Sequence, residues 1–147
     1  MSAWEPRTVV VGVDGSPESI DAAGVAVALA HSCSAKLFIV TVVRPPEGWW
    51  GIVGSPPTAE ALGDSLSQAQ RDILDLVLRS VDLSGLNYET DEEIGDPAAQ
   101  IIDLCRRVDA DLLVVGRRGA SLFRRMVVGS VANHVVHEAP CPVLVVP

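Results

Sequence analysis

The sequence predicts an α/β domain, a mostly parallel sheet with helices on both faces, and three observations predict it. Short β-branched or apolar runs alternate along the chain with segments of helical period. Two of these runs, from Leu37 to Val43 and from Asp111 to Gly116, are apolar without alternation, the pattern of strands covered on both faces. Strand-to-helix handovers at Gly15-Ser16-Pro17 and Gly95-Asp96-Pro97 leave almost no loop, as right-handed crossovers between parallel strands allow. The chain has 147 residues, enough for one domain with a real core and too few for two, so a single domain over 1–147 is expected.

The elements follow in order. Thr8 to Asp14 is a β-branched run that stops at Asp-Gly. Ser16 is then the N-cap and Pro17 the first helical residue, with Ile20, Ala23, Val27 and Ala30 along one face. The second strand runs from Leu37 to Val43. Thr58 is placed to cap a long helix whose buried stripe reads Leu62, Leu66, Ala69, Ile73 and Leu76. A polar strand spans about Tyr88 to Ile94, and Asp96 caps a helix that buries Ile101, Leu104, Cys105 and Val108. The fourth strand ends at Gly116. A basic, glycine-punctuated connection leads to a last helix with Val128, Val131, Ala132 and Val135 on one side, and Pro142 to Val146 forms the fifth strand. Five strands and four helices result.

Composition bounds the function. A net charge of −8 and a pI near 4.7 disfavour a nucleic-acid backbone or an anionic membrane as partner. The longest apolar run, Ala22 to Ala30, is far short of the roughly 20 residues a bilayer core requires. Glu5, Pro6 and Arg7 stand where a signal peptide puts its apolar segment, so a cytoplasmic protein is expected. Cys33, Cys105 and Cys141 are odd in number and widely spaced, which reads as reduced, mostly buried thiols. Six of the ten arginines lie between Arg106 and Arg125 with only Asp109 and Asp111 among them, which implies one anion-facing region.

Several chemistries fail on residue type. A P-loop needs a lysine before Ser or Thr, and the single lysine is Lys36, at the start of the second strand. The same lysine is misplaced for a phosphoreceiver domain. After the first strand only Gly12 and Gly15 appear, so the dinucleotide fingerprint is incomplete. Ser121 lacks the second glycine of a nucleophile elbow. His134 and His137 share a helix face without a third ligand nearby in sequence, and a solvated face is the plainer reading. His31 and Arg106-Arg107 sit in last turns of helices, where positive charge suits the dipole.

Two connections are unusual. Arg44 to Pro57 is long for this fold class, and its Trp49 and Trp50 either cover a ligand or pack on the surface. The second is Gly116-Arg117-Arg118-Gly119, nine residues, then Gly129-Ser130 at a helix start. Gly116 closes a buried strand, so the motif lies at a carboxyl end, where open α/β sheets bind ligands. Glycine lets a backbone approach phosphate closely, and a helix N-terminus presents unpaired amides to an anion. By spacing alone, a plain connection with surface arginines is an equal reading.

Here the chain resembles the universal stress protein family, in its nucleotide-binding branch. The family's motif, Gly-x2-Gly-x9-Gly-Ser/Thr, is matched by Gly116, Gly119, Gly129 and Ser130. Val13-Asp14-Gly15-Ser16, Gly95-Asp96-Pro97 and the closing stretch from His137 to Val146 are similar to the family as well. The 44–57 loop is the stretch the family does not fix.

The resemblance implies an adenine-nucleotide alpha-hydrolase-like sheet of order 3-2-1-4-5, with a crevice between the first and fourth strands that holds ATP. It implies that Gly12, Val13 and Asp14, at the first strand's end, are nucleotide-binding, with Asp14 accepting from the ribose hydroxyls. The backbone around Val42 then meets the adenine. Amides of Gly119, Gly129, Ser130 and Val131 hold the phosphates beside Gly116, and Arg117 and Arg118 add charge. Mg²⁺ would bridge phosphate oxygens with few protein ligands of its own. The expected function is a nucleotide-dependent stress-response regulator and not an enzyme, because no nucleophile pairs with a general base and no lysine serves the phosphates. The alternative is a slow ATP-hydrolysing or phosphotransferring enzyme. A homodimer through Val143 to Val146 is also expected, since that strand is an apolar edge while Glu89, Asp91, Glu92 and Glu93 protect the other.

Overall fold

The computed structural model describes residues 3–44, 59–117 and 130–147, with side chains from residue 63 in the second helix. Strand β1 (Thr8–Gly12) leads to α1 (Pro17–Cys33) and β2 (Lys36–Val43). Helix α2 (Ala59–Ser80) precedes β3 (Tyr88–Ile94), α3 (Pro97–Arg107) and β4 (Leu112–Gly116). Helix α4 (Ser130–Glu138) and β5 (Val143–Val146) complete the order. The five strands form one all-parallel sheet in the order β3-β2-β1-β4-β5, as the resemblance implied.

Both handovers have the expected chemistry. The Ser16 hydroxyl accepts from the Ser19 amide and Pro17 opens α1; the Asp96 carboxylate accepts from the Ala99 amide and Pro97 opens α3. In each, the cap satisfies an otherwise orphaned donor and proline gives up none.

Alternate residues of the strands feed two cores. Val9, Val11, Leu37, Ile39, Leu112 and Val114 pack on the face covered by α1 and α2. Val10, Val40, Leu113 and Val115 pack on the face covered by α3 and α4 with Ile101, Leu104, Cys105, Ala132 and Val135. Full burial of each Val, Leu or Ile contributes roughly 1.5–3 kcal/mol, so the two-sided core is the main source of stability. The alanines at 22, 23, 26 and 30, all fully buried, give α1 a thin face against the sheet.

One stripe differs from expectation. In α2 the buried residues are Leu66, Gln70, Leu74 and Val77, with Ile73 half-buried, whereas Ala69 and Leu76 are exposed. An apolar stripe omits Gln70, which is polar and yet buried. Its position, four residues after Leu66 and four before Leu74, belongs to the inner face. Thr58, the side chain of Leu62 and Val128 lie outside the described residues.

Candidate functional site

Strand β1 lies between β2 and β4, and the chain leaves β1 for α1 on one face. The helix that follows β4 in the described chain, α4, packs on the other. The carboxyl ends of β1 and β4 are therefore the point at which the sheet's connections diverge, the place where open α/β sheets commonly take a ligand. By the β1–β4 register, Asp14 and Gly116 lie at these neighbouring strand ends.

The end of β1 is tightly tied. The Val13 amide donates to the Val40 carbonyl at 2.9 Å, extending the β1–β2 ladder by one bond beyond Gly12. Gly15 then takes φ +84°, which turns the chain into α1. Asp14 Oδ1 accepts from the Ser16 amide at 2.9 Å, and the Asp14 amide donates to Ser19 Oγ at 3.3 Å. A half-buried carboxylate is thus held at the carboxyl end of β1 by its own turn. Gly12 lies beneath: a Cβ there would stand 2.9 Å from Ile101 Cδ1.

Val42 presents a backbone edge. Carbonyls alternate sides along a strand: Val40 accepts from β1's Val13, and Val43 accepts from Gly95 beyond β3. The peptide groups of Val42 therefore face the β1 side, where the paired register has already ended at Gly12 and Val40. A donor and an acceptor side by side beyond a ladder suit the edge of a planar heterocycle.

At the end of β4 the packing is closer still. A Cβ on Gly116 would stand 2.9 Å from the Glu18 carbonyl carbon, so the first turn of α1 presses directly on this strand end. The Arg117 amide donates to the Val146 carbonyl at 2.7 Å, which commits it to the β4–β5 ladder. The half-buried Arg117 has its Nε buried without a hydrogen-bond partner among the described residues. Ser130 is exposed as the first residue of α4, and Val131 packs against the α3–α4 core. Arg118, Gly119 and Gly129, with Trp49 and Trp50, lie outside the described residues.

Charged groups beside the site are engaged elsewhere. Arg44 Nη2 meets Asp96 Oδ1 at 2.6 Å, joining the end of β2 to the cap of α3. Arg107 bridges Asp103 at 3.0 Å, Glu93 at 3.3 Å and Asp91 at 3.7 Å, so this arginine serves the β3 edge and not the crevice. Burial, then the neighbouring Asp91, raises the Glu93 carboxyl above its usual range. His134 pairs with Glu138 at 2.8 Å and His137 Nδ1 lies 2.7 Å from the Asn133 carbonyl oxygen. No metal-binding group of three or more His, Cys, Asp or Glu occurs among the described residues. Gln70 is the residue that sequence reasoning missed: buried in α2, its amide donates to the Glu93 carbonyl at 2.6 Å, at the carboxyl end of β3.

Among the described residues no helix is long and apolar enough to cross a membrane. The model of the universal stress protein family matches residues 5–147. The chain is 31% identical to a universal stress protein of Methanocaldococcus jannaschii, over 95% of this chain and 81% of that one. The structure of a universal stress protein UspA from Lactobacillus plantarum superposes with a TM-score of 0.74 at 26% identity, covering 99% of this chain and all of the other. A universal stress protein solved in complex with cAMP gives a TM-score of 0.67 at 29% identity, covering 97% and 98%. With a family match that spans the sheet and both cores, this chain belongs to the universal stress protein family.

Proposed function

We propose that the protein binds an adenine nucleotide in the crevice between β1 and β4, and that occupancy regulates a stress response. The observation that carries this reading is the placement of the Asp14 carboxylate and the Val42 peptide edge at neighbouring carboxyl ends of β1 and β2, next to the end of β4 at the switch point. A carboxylate suits ribose hydroxyls and a donor–acceptor edge suits adenine. The cAMP complex of a family member supports the same ligand class.

ATP is the proposed ligand. The phosphates would extend toward the amides of Ser130 and Val131 at the α4 N-terminus and toward Gly119 and Gly129, with charge from Arg117 and Arg118. Mg²⁺ suits this donor set if it is held chiefly by phosphate oxygens and water, as such ions commonly are. Regulation is favoured over turnover because Ser16 and Ser19, the hydroxyls in the Asp14 turn, are buried and used in that turn. The dimer through β5 belongs to the same proposal.

Calorimetric titration with ATP in the presence and absence of Mg²⁺, and with cAMP in competition, tests the ligand. Saturable ATP binding that is lost in Gly119→Glu, with unchanged circular dichroism, is the expected result. Absence of binding by any adenine nucleotide at millimolar concentration refutes the reading.

A further inference from the structure

Gln70 occupies a position where an apolar residue would be expected. It is 2% exposed on the inner face of α2, in line with Leu66, Leu74 and Val77. Burying a primary amide costs both desolvation and rotamer entropy, and a leucine there would continue the stripe. The amide is spent on the backbone: Nε2 lies 2.6 Å from the Glu93 carbonyl and 3.5 Å from the Thr41 carbonyl. The first is a strong bond and the second lies at the limit of one.

Those two carbonyls lie near the end of the β2–β3 ladder, where Thr41 is opposite Glu92, Val42 opposite Glu93 and Val43 opposite Ile94 as the last pair. The end of β2 is thus held on its β3 side by the ladder, the Gly95 amide on Val43, and Gln70. On its β1 side the paired register stops at Val40, leaving the Val42 peptide groups toward the crevice. From this juxtaposition, one edge clamped and the opposite edge open, we infer that Gln70 is a positioning residue that fixes the Val42 backbone for discrimination of the base. The inference rests on the nucleotide reading above. It adds a physical source for selectivity: a base is told from its near-isosteres only if the peptide edge that reads it is rigid, since a mobile edge re-pairs with either. Adenine and guanine differ in the donor and acceptor they present there.

The test compares ATP and GTP affinities, by calorimetry, for the unmodified protein, Gln70→Met and Gln70→Glu. Methionine conserves volume without a donor; glutamate is isosteric and sets an acceptor against two carbonyls. Gln70→Asn, one methylene short of reach, covers the case in which the others do not fold. The expected result is a preference for ATP in the unmodified protein that falls at least tenfold in the variants, with GTP affinity changed less than ATP affinity. A purely structural glutamine would lower the melting temperature and weaken both nucleotides alike, leaving their ratio unmoved, and that outcome overturns the inference while the nucleotide reading stands. If the unmodified protein binds neither nucleotide, both fall.

Discussion

Gly116 and Glu18 are in direct backbone contact: a Cβ on the glycine would stand 2.9 Å from the Glu18 carbonyl carbon and 3.0 Å from its oxygen. The obstacle is backbone, which cannot rotate aside, so the end of β4 and the first turn of α1 would have to separate. Gly116→Ala is therefore expected to cost about 1–3 kcal/mol, as overpacked sites do. Gly24, inside α1 with nothing within 4 Å of its absent Cβ, is the control. Gly24→Ala should stabilise by roughly 0.5–1 kcal/mol, because only the helix preference changes. Urea denaturation of both variants reads the contrast directly; equal effects of the same sign would mean that the strand end is not under this contact.

Asp14 holds the turn through Oδ1 on the Ser16 amide. Asparagine keeps that acceptor but loses the charge. Asp14→Asn should thus weaken ATP at least tenfold while the melting temperature moves by no more than a few degrees. Loss of stability with unaltered affinity would assign the residue to the turn alone.

Glu93 titrates above the ordinary glutamate range in the folded chain, chiefly through burial and then through Asp91 on the same face of β3. A carboxyl raised on folding binds its proton more tightly in the native state, so its contribution favours the native state at low pH. That contribution declines as pH rises from the ordinary glutamate range through the folded value. Glu93→Gln removes this slope, although Arg107, now facing one fewer carboxylate, retains Asp103 and Asp91. Denaturation midpoints across the weakly acidic range should show the variant gaining on the unmodified protein as pH rises. A variant that loses ground instead would show that ion pairing with Arg107 outweighs desolvation.

Leu144 is the exposed member of edge strand β5, while Val143 and Val145 pack against the α3–α4 core. A four-residue apolar edge invites a second copy of itself about a two-fold axis. Sedimentation at micromolar concentration should give a dimer, and Leu144→Lys should shift it toward monomer without unfolding. A monomeric unmodified protein under those conditions refutes the pairing. Val145→Asp is the poorer test, because it buries a charge in the core.

Cys105 is almost fully buried, and burial, then Cys141 beside it, pushes its thiol up to about 12. Only the thiolate reacts readily. Alkylation at pH 8 should spare Cys105 in the native protein and reach it after denaturation, as peptide mass mapping would show; rapid native labelling would contradict the burial.

The sequence by itself determined what short-range physics governs. Apolar runs without alternation made β2 and β4 two-sided strands, Ser16-Pro17 and Asp96-Pro97 set where α1 and α3 begin, and helical spacing found their inner faces. Each rests on contacts within a few residues of itself. The strand order was legible through resemblance and not through periodicity, because no local pattern says which strands are neighbours. Only the tertiary structure decided that the carboxyl ends of β2, β1 and β4, with Val42, Asp14 and Gly116, lie side by side. It also assigned Gly116 a partner in Glu18, and drew Gln70 inward toward a carbonyl 23 residues away. Polarity marks a residue for the surface until a distant backbone group supplies its hydrogen bond, and that partner exists only after the sheet has assembled.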